Sequence, residues 1–364
     1  MKLEYTRSSF SKEDADRTVM DHPEWFLGAG AEEERPGTLD YYGPQHVGVH
    51  IVAPLQAGAD PERDGVILIP RSYEATYGID GRADLEGKRD AVIANVLGKF
   101  VIGYDTPGFG MNPDAEQRTG QILTAALSGS MRPHAKAQLE AIVAAMKREG
   151  IYDEKREKQL QLEFIGYSMA NIAVVDTLGQ LGKFMPGAKV TGITLAEAVN
   201  DKSMGLPTLL GAIGRETNEV NTNRYFEDDR RHGLAVGYDR QTYDVTQYNQ
   251  ARLLEQKAAK KRGNVTNVSI GAGMRKPWEP RLTRELSRPD YSETIVRMLR
   301  TNGSEVARED QNRQTALDLS STGVSGVRMH TVFPGEGEPD HHHPFWQSLP
   351  MVAAMLYELD ERVA

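Results

Sequence analysis

Cysteine, long apolar runs and an excess of positive charge are all missing from this chain of 364 residues. Without cysteine the chain forms no disulfide and performs no thiol chemistry. No apolar run approaches the length of about 18 residues that predicts a membrane-spanning helix. The net charge of −9, from 43 basic and 52 acidic residues, makes the chain a poor binder of nucleic acid. We therefore expect neither a membrane nor a nucleic acid as partner.

The N-terminal region predicts an arm and a location. Met1–Arg7 lacks the apolar centre of a secretory signal, so we expect a cytoplasmic protein. Residues 1–45 are polar and rich in turn-forming residues, and we expect them to wrap the core as an arm. The chain is long enough for one large α/β domain with an insertion, or for two domains.

Strand-like and helix-like segments alternate through the first half of the chain. His46–Val52 alternates in part and predicts an early antiparallel strand. A buried strand ending at Pro70, a strand at Phe100–Tyr104 and a helix at His134–Arg148 follow. Another strand is predicted at Ala188–Leu195. Because strands separated by helices pair in parallel, the order predicts an α/β fold with helices on both sheet faces.

The segment Glu163–Ala170 carries the clearest chemical signal. A short apolar run ends in Gly166-x-Ser168-x-Ala170, and a helix-compatible stretch follows at once. The small residues on either side of Ser168 let a strand turn sharply into a helix, which lifts the serine hydroxyl out of the sheet. The same turn points backbone N–H groups at the helix N-terminus toward an oxyanion. The pattern indicates a nucleophilic serine, although an ordinary strand-to-helix turn containing serine has the same letters.

Four motifs in the correct order resemble the α/β-hydrolase family. The turn Asp105–Gly110 looks like that family's loop after its fourth strand, and Gly166–Ala170 looks like its nucleophile elbow. Val327–Val332 is similar to its last strand. His341–Gln347 is similar to its histidine loop, in which Trp often follows the histidine by four residues and Glu by five.

The resemblance implies a fold and a domain arrangement. It covers residues 46–200 and 290–364, and it implies a mostly parallel central sheet flanked by helices. Residues 1–200 and 291–364 are then the hydrolase core. Between them, residues 201–290 lose the core pattern, so we expect a mainly helical cap inserted after the sixth strand.

The resemblance also implies a catalytic triad with Ser168 as the nucleophile, and it leaves the histidine between two neighbours. Counting back four residues from Trp346 gives His342, which we prefer. Counting back seven from Pro350 gives His343 instead. A solvated polar loop and an adventitious metal site are the other interpretations of the three adjacent histidines.

The acid of the triad has more than one candidate. Many members of the family carry it after the seventh strand, but Ser304 stands where an Asp would be common. Other members place it directly after the sixth strand, and Glu197 matches that position. We prefer Glu197, with Glu305 and Asp201 as alternatives, and a carboxylate at a helix N-terminus is the structural reading of Glu197.

The oxyanion hole of the family consists of two backbone N–H groups. One belongs to the residue after the nucleophile, Met169, and the other to the loop after the third strand, where Pro70 has no N–H to give. Ser72 is therefore the expected second donor, before Tyr73. Arg71 places a cation here that would bind a substrate carboxylate or phosphate, or form a surface salt bridge. The expected substrate contacts are Arg71, Tyr73, Tyr167 and Trp346.

Taken together, these residues predict a serine hydrolase that needs no metal and no organic cofactor. It would cleave a carboxylic ester, a thioester or an amide of a small molecule through an acyl-enzyme. An acyltransferase on the same fold is one alternative, and a non-catalytic binding protein on a degenerate hydrolase fold is another. The oligomeric state stays open, and a homo-oligomer is compatible with the sequence.

Overall fold

The chain forms a large mixed sheet with helices on both faces. The computed structural model describes residues 3–30, 39–42, 47–55, 58–71, 82–105, 128, 130, 132–153, 155, 160–199, 205, 207–209, 211–212, 229–234, 277–334 and 348–361. The strands are β1 Leu3–Phe10, β2 Leu39–Tyr42, β3 Gly48–Val52, β4 Val66–Pro70, β5 Phe100–Tyr104, β6 Gln161–Tyr167, β7 Lys189–Ala196, β8 Ile295–Thr301 and β9 Gly326–Pro334. The helices are α1 Lys12–Asp21, α2 Pro61–Asp64, α3 Arg82–Leu97, α4 Arg132–Arg148, α5 Ala170–Phe184, α6 Glu279–Leu286, α7 Glu309–Ser320 and α8 Leu349–Glu361. Short 3₁₀ turns cover Pro23–Phe26 and Pro289–Tyr291.

The nine described strands form one sheet in the order β1-β9-β8-β7-β6-β4-β5-β3-β2. Strand β3 is antiparallel to both β2 and β5, and all other neighbours are parallel. The predicted early antiparallel strand and the predicted parallel sheet are therefore both confirmed. Because every strand from β4 to β9 runs the same way, their carboxyl ends share one edge of the sheet, where ligands of such folds bind.

Strands β4 and β5 consist almost entirely of apolar residues because both of their faces are covered. All five residues of β4 are buried, and so are the last four of β5. One face packs with α4, α5 and α6, and its core includes Leu68, Phe164 and Leu178. The other face packs with α3 and α8, and its core includes Ile67 and Leu356. Continuous hydrophobic strands are typical of parallel sheets between two helix layers.

The N-terminal region is more regular than an arm that only wraps the core. Strand β1 pairs in parallel with β9 over its whole length, from Leu3 against Val327 to Phe10 against Pro334. Helix α1 begins at a capping box in which Ser11 and Asp14 bond each other's backbone N–H groups. The sequence does not predict this strand, because residues 3–10 are half polar and occupy a sheet edge.

The region predicted as a cap lies mostly outside the described residues. Residues 229–234 are described, and they attach to the N-terminal region through a bridge between Gly30 and Leu234 and through His232 Nε2, 2.8 Å from Asp16. Residues 277–290, which the predicted boundary assigns to the cap, join the core instead. Trp278 is buried there and donates its Nε1–H to the carbonyl of Val199 at 2.9 Å.

No helix within the described part of the chain is long and apolar enough to cross a membrane.

Candidate active site

Ser168 lies at the turn between β6 and α5, and its backbone is in the left-handed region. Its φ is 52°, and Glu197 is the other non-glycine residue with positive φ in the described structure. Such a conformation is uncommon for a residue with a side chain, and such residues are concentrated at functional sites. Strand β6 ends at Tyr167 and α5 begins at Ala170, so the predicted strand, tight turn and helix are all present.

Gly166 makes this turn sterically possible. A Cβ at position 166 would lie 2.6 Å from Asn171 Oδ1 and 3.0 Å from both Asn171 Cα and Val174 Cγ2. The first turn of α5 therefore packs directly on the backbone of β6. At the other small position of the motif, the methyl group of Ala170 is accommodated in the interior, since this residue is 1% exposed.

Asn171 stabilises the serine turn, a role that the sequence did not predict. Its side-chain amide donates to the carbonyl of Ser168 at 2.8 Å and to the carbonyl of Ala196 at 3.1 Å. The N–H of Ser168 also donates to the Ala196 carbonyl, at 2.9 Å. Two hydrogen bonds therefore join the serine turn to the end of β7, and a third closes the turn itself. The only sequence signal is an amide three residues after the serine.

Glu197 follows β7 at the same edge of the sheet. It is fully buried and has a φ of 48°. Its N–H donates to the carbonyl of Leu299 at 2.7 Å, and its Oε1 accepts from both the backbone N–H and the hydroxyl of Thr301. The predicted acid is thus a buried carboxylate with an ordered orientation. It does not lie at the N-terminus of any described helix.

Ser168 and Glu197 are neighbours across the sheet. The preceding residues, Tyr167 and Ala196, are register partners in the parallel pair β6 and β7. Adjacent strands lie about 4.8 Å apart, so the two left-handed residues leave neighbouring strand ends together. A serine and a buried carboxylate therefore follow neighbouring strand ends at the same edge of the sheet.

The order and direction of the strands identify the fold. Among strands β2 to β9, only β3 is antiparallel to its neighbours. Strand β4 lies between β6 and β5, so β5 is farther from the centre of the sheet than β4. The serine turn then follows the strand next to β4, with a helix directly after it. This is the α/β-hydrolase fold. The fold that the resemblance implied is confirmed, and β1 is an additional strand beside the last strand of that pattern.

Comparisons with solved structures give neighbours of low similarity. A hydrolase from Oleispira antarctica is 10% identical, with 98% of each chain covered and a TM-score of 0.48. A carboxyl esterase from Bacillus coagulans is 13% identical over 90% of this chain and 98% of that one, with a TM-score of 0.47. An esterase from Exiguobacterium antarcticum is 9% identical over 88% and 98%, with a TM-score of 0.46. No protein-family model and no curated sequence matches the chain. The fold assignment rests on the strand order and the serine turn.

Several predicted site residues lie outside the described structure. These are Ser72, Tyr73, Asp201, His342, His343 and Trp346. Of the described ones, Met169 precedes α5 with helical angles (φ −61°, ψ −27°), so its N–H is among the donors that a helix N-terminus leaves unsatisfied within the helix. Glu305 is exposed, unlike Glu197, and Ser304 accepts the N–H of Ala307 at 3.0 Å. Ser304 thus organises its own loop at the position where many members of the family carry an Asp.

Arg71 is a buried, ion-paired residue. It is 1% exposed, and its guanidinium pairs with Glu86 at 2.9 Å and with Asp90. The salt bridge considered for it at the surface is therefore a buried one. Arg89 shares Glu86 at 2.6 Å, and His50 Nδ1 lies 3.4 Å from Asp90. A contact between Arg71 and substrate stays a prediction, and the two carboxylates already balance its charge.

Ion pairing determines the charge states of Asp90 and Arg71 in the interior. Burial alone would raise the pKa of Asp90, but Arg71, followed by His50, outweighs it and lowers the pKa below its ordinary value. Burial likewise opposes the charged form of Arg71, yet Asp90 and Glu86 raise its pKa. Arg71 and Asp90 therefore form an ionised pair in the interior, and Arg71 directly follows the strand that precedes the predicted oxyanion loop.

Tyr167, a predicted substrate contact, is 6% exposed and packs in the core between the sheet and α8. Burial, and after it the nearby charge of Glu197, raises the pKa of its phenol well above the ordinary value. Its contact with substrate stays a prediction. Among the described residues, no group of three or more His, Asp or Glu is arranged to hold a metal ion.

Proposed function

We propose that the protein is a serine hydrolase that cleaves a carboxylic ester of a small molecule, or a thioester or amide, through an acyl-enzyme. One observation carries this proposal. Ser168 has a left-handed backbone at a strand-to-helix turn and lies beside Glu197, a buried carboxylate in the same rare conformation on the adjacent strand. Strained residues held together at one sheet edge favour a functional site over an ordinary turn.

The proposed reaction uses Ser168 as the nucleophile. Its Oγ attacks the substrate carbonyl while a histidine of the 341–343 run, His342 by preference, takes the hydroxyl proton. The same histidine then gives that proton to the leaving group, which departs and leaves an acyl-serine. Water attacks the ester in a second cycle of the same proton transfers and releases the acid. Glu197 orients the imidazole and stabilises its cation.

The negative charge on the carbonyl oxygen needs N–H donors. Met169 supplies one, because its N–H lies at the N-terminus of α5 where the helix leaves donors available. Ser72 is the proposed second donor, with Arg71 immediately before it. The N–H of Arg71 is already used, since it donates to the carbonyl of Tyr104 at 2.9 Å. This supports a donor further along the loop.

The remaining parts of the proposal follow from the family resemblance and, for the location, from the N-terminal sequence. Tyr73 and Trp346 would contact the substrate, residues 201–276 would cover the site, and the protein would work in the cytoplasm without metal or cofactor. Transfer of the acyl group to an alcohol or amine instead of water is the nearest alternative. Product analysis in the presence of such acceptors separates the two, because an acyltransferase forms new esters or amides.

A panel of p-nitrophenyl esters, thioesters and anilides tests the proposal. We expect turnover on at least one class, its loss in Ser168→Ala, and its retention in Ser320→Ala, since Ser320 lies at the end of α7 and donates to Leu317. Glu197→Gln should lower kcat by orders of magnitude, as in related triads, whereas Glu305→Gln should not. Full activity in folded Ser168→Ala would reject the serine mechanism. A dominant effect at Glu305 would reject Glu197 as the acid.

A further inference from the structure

Thr301, the last residue of β8, makes two hydrogen bonds to a single oxygen of Glu197. Its backbone N–H and its hydroxyl both donate to Glu197 Oε1, and both residues are fully buried. We infer that Thr301 is the positioning residue of the proposed acid, which fixes the orientation in which Glu197 meets the catalytic histidine. This inference rests on the proposed function.

The contact replaces a bond of the sheet. In the parallel pair β7 and β8, the N–H of Glu197 donates to the carbonyl of Leu299, as a regular ladder requires. The next bond of that ladder would run from the N–H of Thr301 to the backbone carbonyl of residue 197. It runs to the Glu197 side chain instead, because the left-handed backbone at Glu197 turns the chain away. The carboxylate therefore occupies a position that the strand geometry defines.

The hydroxyl supplies the second constraint. A single donor leaves a carboxylate able to rotate about its bond, whereas two donors from one residue on one oxygen restrict that rotation. Hydrogen bonds to charged groups are also stronger than those between neutral groups. With Oε1 held by β8, the orientation of the other oxygen is fixed as well. Many hydrolases of this fold take their acid from the loop after this strand; here the strand contributes the group that holds the acid.

The test compares Thr301, the last residue of β8, with Thr294, the residue directly before β8. Thr301→Val removes the hydroxyl with little change of volume, and Thr301→Ser retains it. Thr294→Val is the matched control, because Thr294 is also fully buried just before β8 and donates its hydroxyl to the carbonyl of Val190 at 2.6 Å. It lies at the opposite edge of the sheet from Ser168. For each variant the urea midpoint, kcat and KM on the best ester, and the rate of labelling by a fluorophosphonate are measured.

We expect Thr301→Val to lower kcat and the labelling rate about tenfold, with KM within about twofold of the native value. Thr301→Ser should restore most of the lost rate. Thr294→Val should shift the urea midpoint by a similar amount to Thr301→Val and leave kcat unchanged. Normal kcat in folded Thr301→Val, or equal losses of kcat in both valine variants, would overturn the inference.

Failure of this inference differs from failure of the proposed function. If Ser168→Ala abolishes labelling while Thr301→Val behaves like Thr294→Val, the hydrolase proposal stands and Thr301 is only structural. If Ser168→Ala labels like the native chain, the nucleophile itself is wrong. Should Thr301→Val fail to fold, Thr301→Ser against Thr301→Ala in the same assays provides the comparison.

Discussion

Gly166→Ala is the substitution whose effect the structure specifies most closely. The added Cβ would lie 2.6 Å from Asn171 Oδ1 and 3.0 Å from Asn171 Cα, so the first turn of α5 has to move. Overpacking of this kind costs about 1–3 kcal/mol. Moving Asn171 also weakens its hydrogen bonds to the carbonyls of Ser168 and Ala196, worth about 1 kcal/mol each. We expect a total loss of about 3–5 kcal/mol in the free energy of unfolding, together with loss of the proposed hydrolysis.

Urea unfolding followed by tryptophan fluorescence measures this loss. The matched control is Gly182→Ala in the same helix, where an added Cβ has open space within 4 Å. Because alanine is the better helix former, that variant should be more stable than the native chain by up to about 1 kcal/mol. Equal unfolding midpoints for Gly166→Ala and the native protein would refute the account of how β6 and α5 meet.

Two further predictions concern buried charge. Arg71→Met leaves Asp90 without its guanidinium partner and Glu86 with Arg89 alone, and we expect a loss of about 3–5 kcal/mol in the free energy of unfolding, measured in urea. Glu163 is 2.6 Å from Lys99; burial alone would raise its pKa, but Lys99 and then Arg297 lower it below the ordinary value. Its ionised form therefore stabilises the fold above the unfolded-state pKa, about 4.3, and this contribution disappears as the pH falls through the folded value.

Both charge predictions have direct controls. Arg63 forms an exposed pair with Asp64, so Arg63→Met should leave the urea midpoint close to the native one, unlike Arg71→Met. For Glu163, the midpoints of the native chain and Glu163→Gln are compared at neutral pH and at about pH 3.5. The difference should shrink at the lower pH. A constant difference between the two conditions would contradict the assignment of ionised Glu163, and an unchanged midpoint in Arg71→Met would contradict the buried network.

The sheet could be predicted from the sequence because its strands β4 and β5 are recognisable from their own residues, without knowledge of the neighbouring strands. Val66–Pro70 and Phe100–Tyr104 are continuous apolar runs, and such runs are typical of parallel strands covered on both faces. The sharp turn at Ser168 could also be predicted, since small residues two positions before and after a serine permit it between strand and helix, although the same letters fit an ordinary turn. Strand β1 could not be predicted in this way. Its half-polar sequence does not indicate a strand by itself, and only the fold shows that it pairs with β9.

The residues that sequence reasoning missed act through long-range contacts. Thr301 is 104 residues from Glu197 along the chain, and nothing in its local pattern marks it as a donor to a carboxylate. For Arg71 the sequence predicted either a contact with substrate or a surface salt bridge, and its burial becomes evident only in the fold. Its partners, Glu86 and Asp90, lie on α3, whose position beneath the end of β4 only the fold reveals.

The most direct test of the central claim is labelling of the folded chain with a fluorophosphonate, followed by mass spectrometry of its peptides. Such probes react with an activated serine and scarcely with an ordinary one. The account predicts one label per chain, on the peptide containing Ser168, and none in folded Ser168→Ala. A folded native chain that carries no label, or carries it on another serine, would contradict the assignment of Ser168 as the nucleophile.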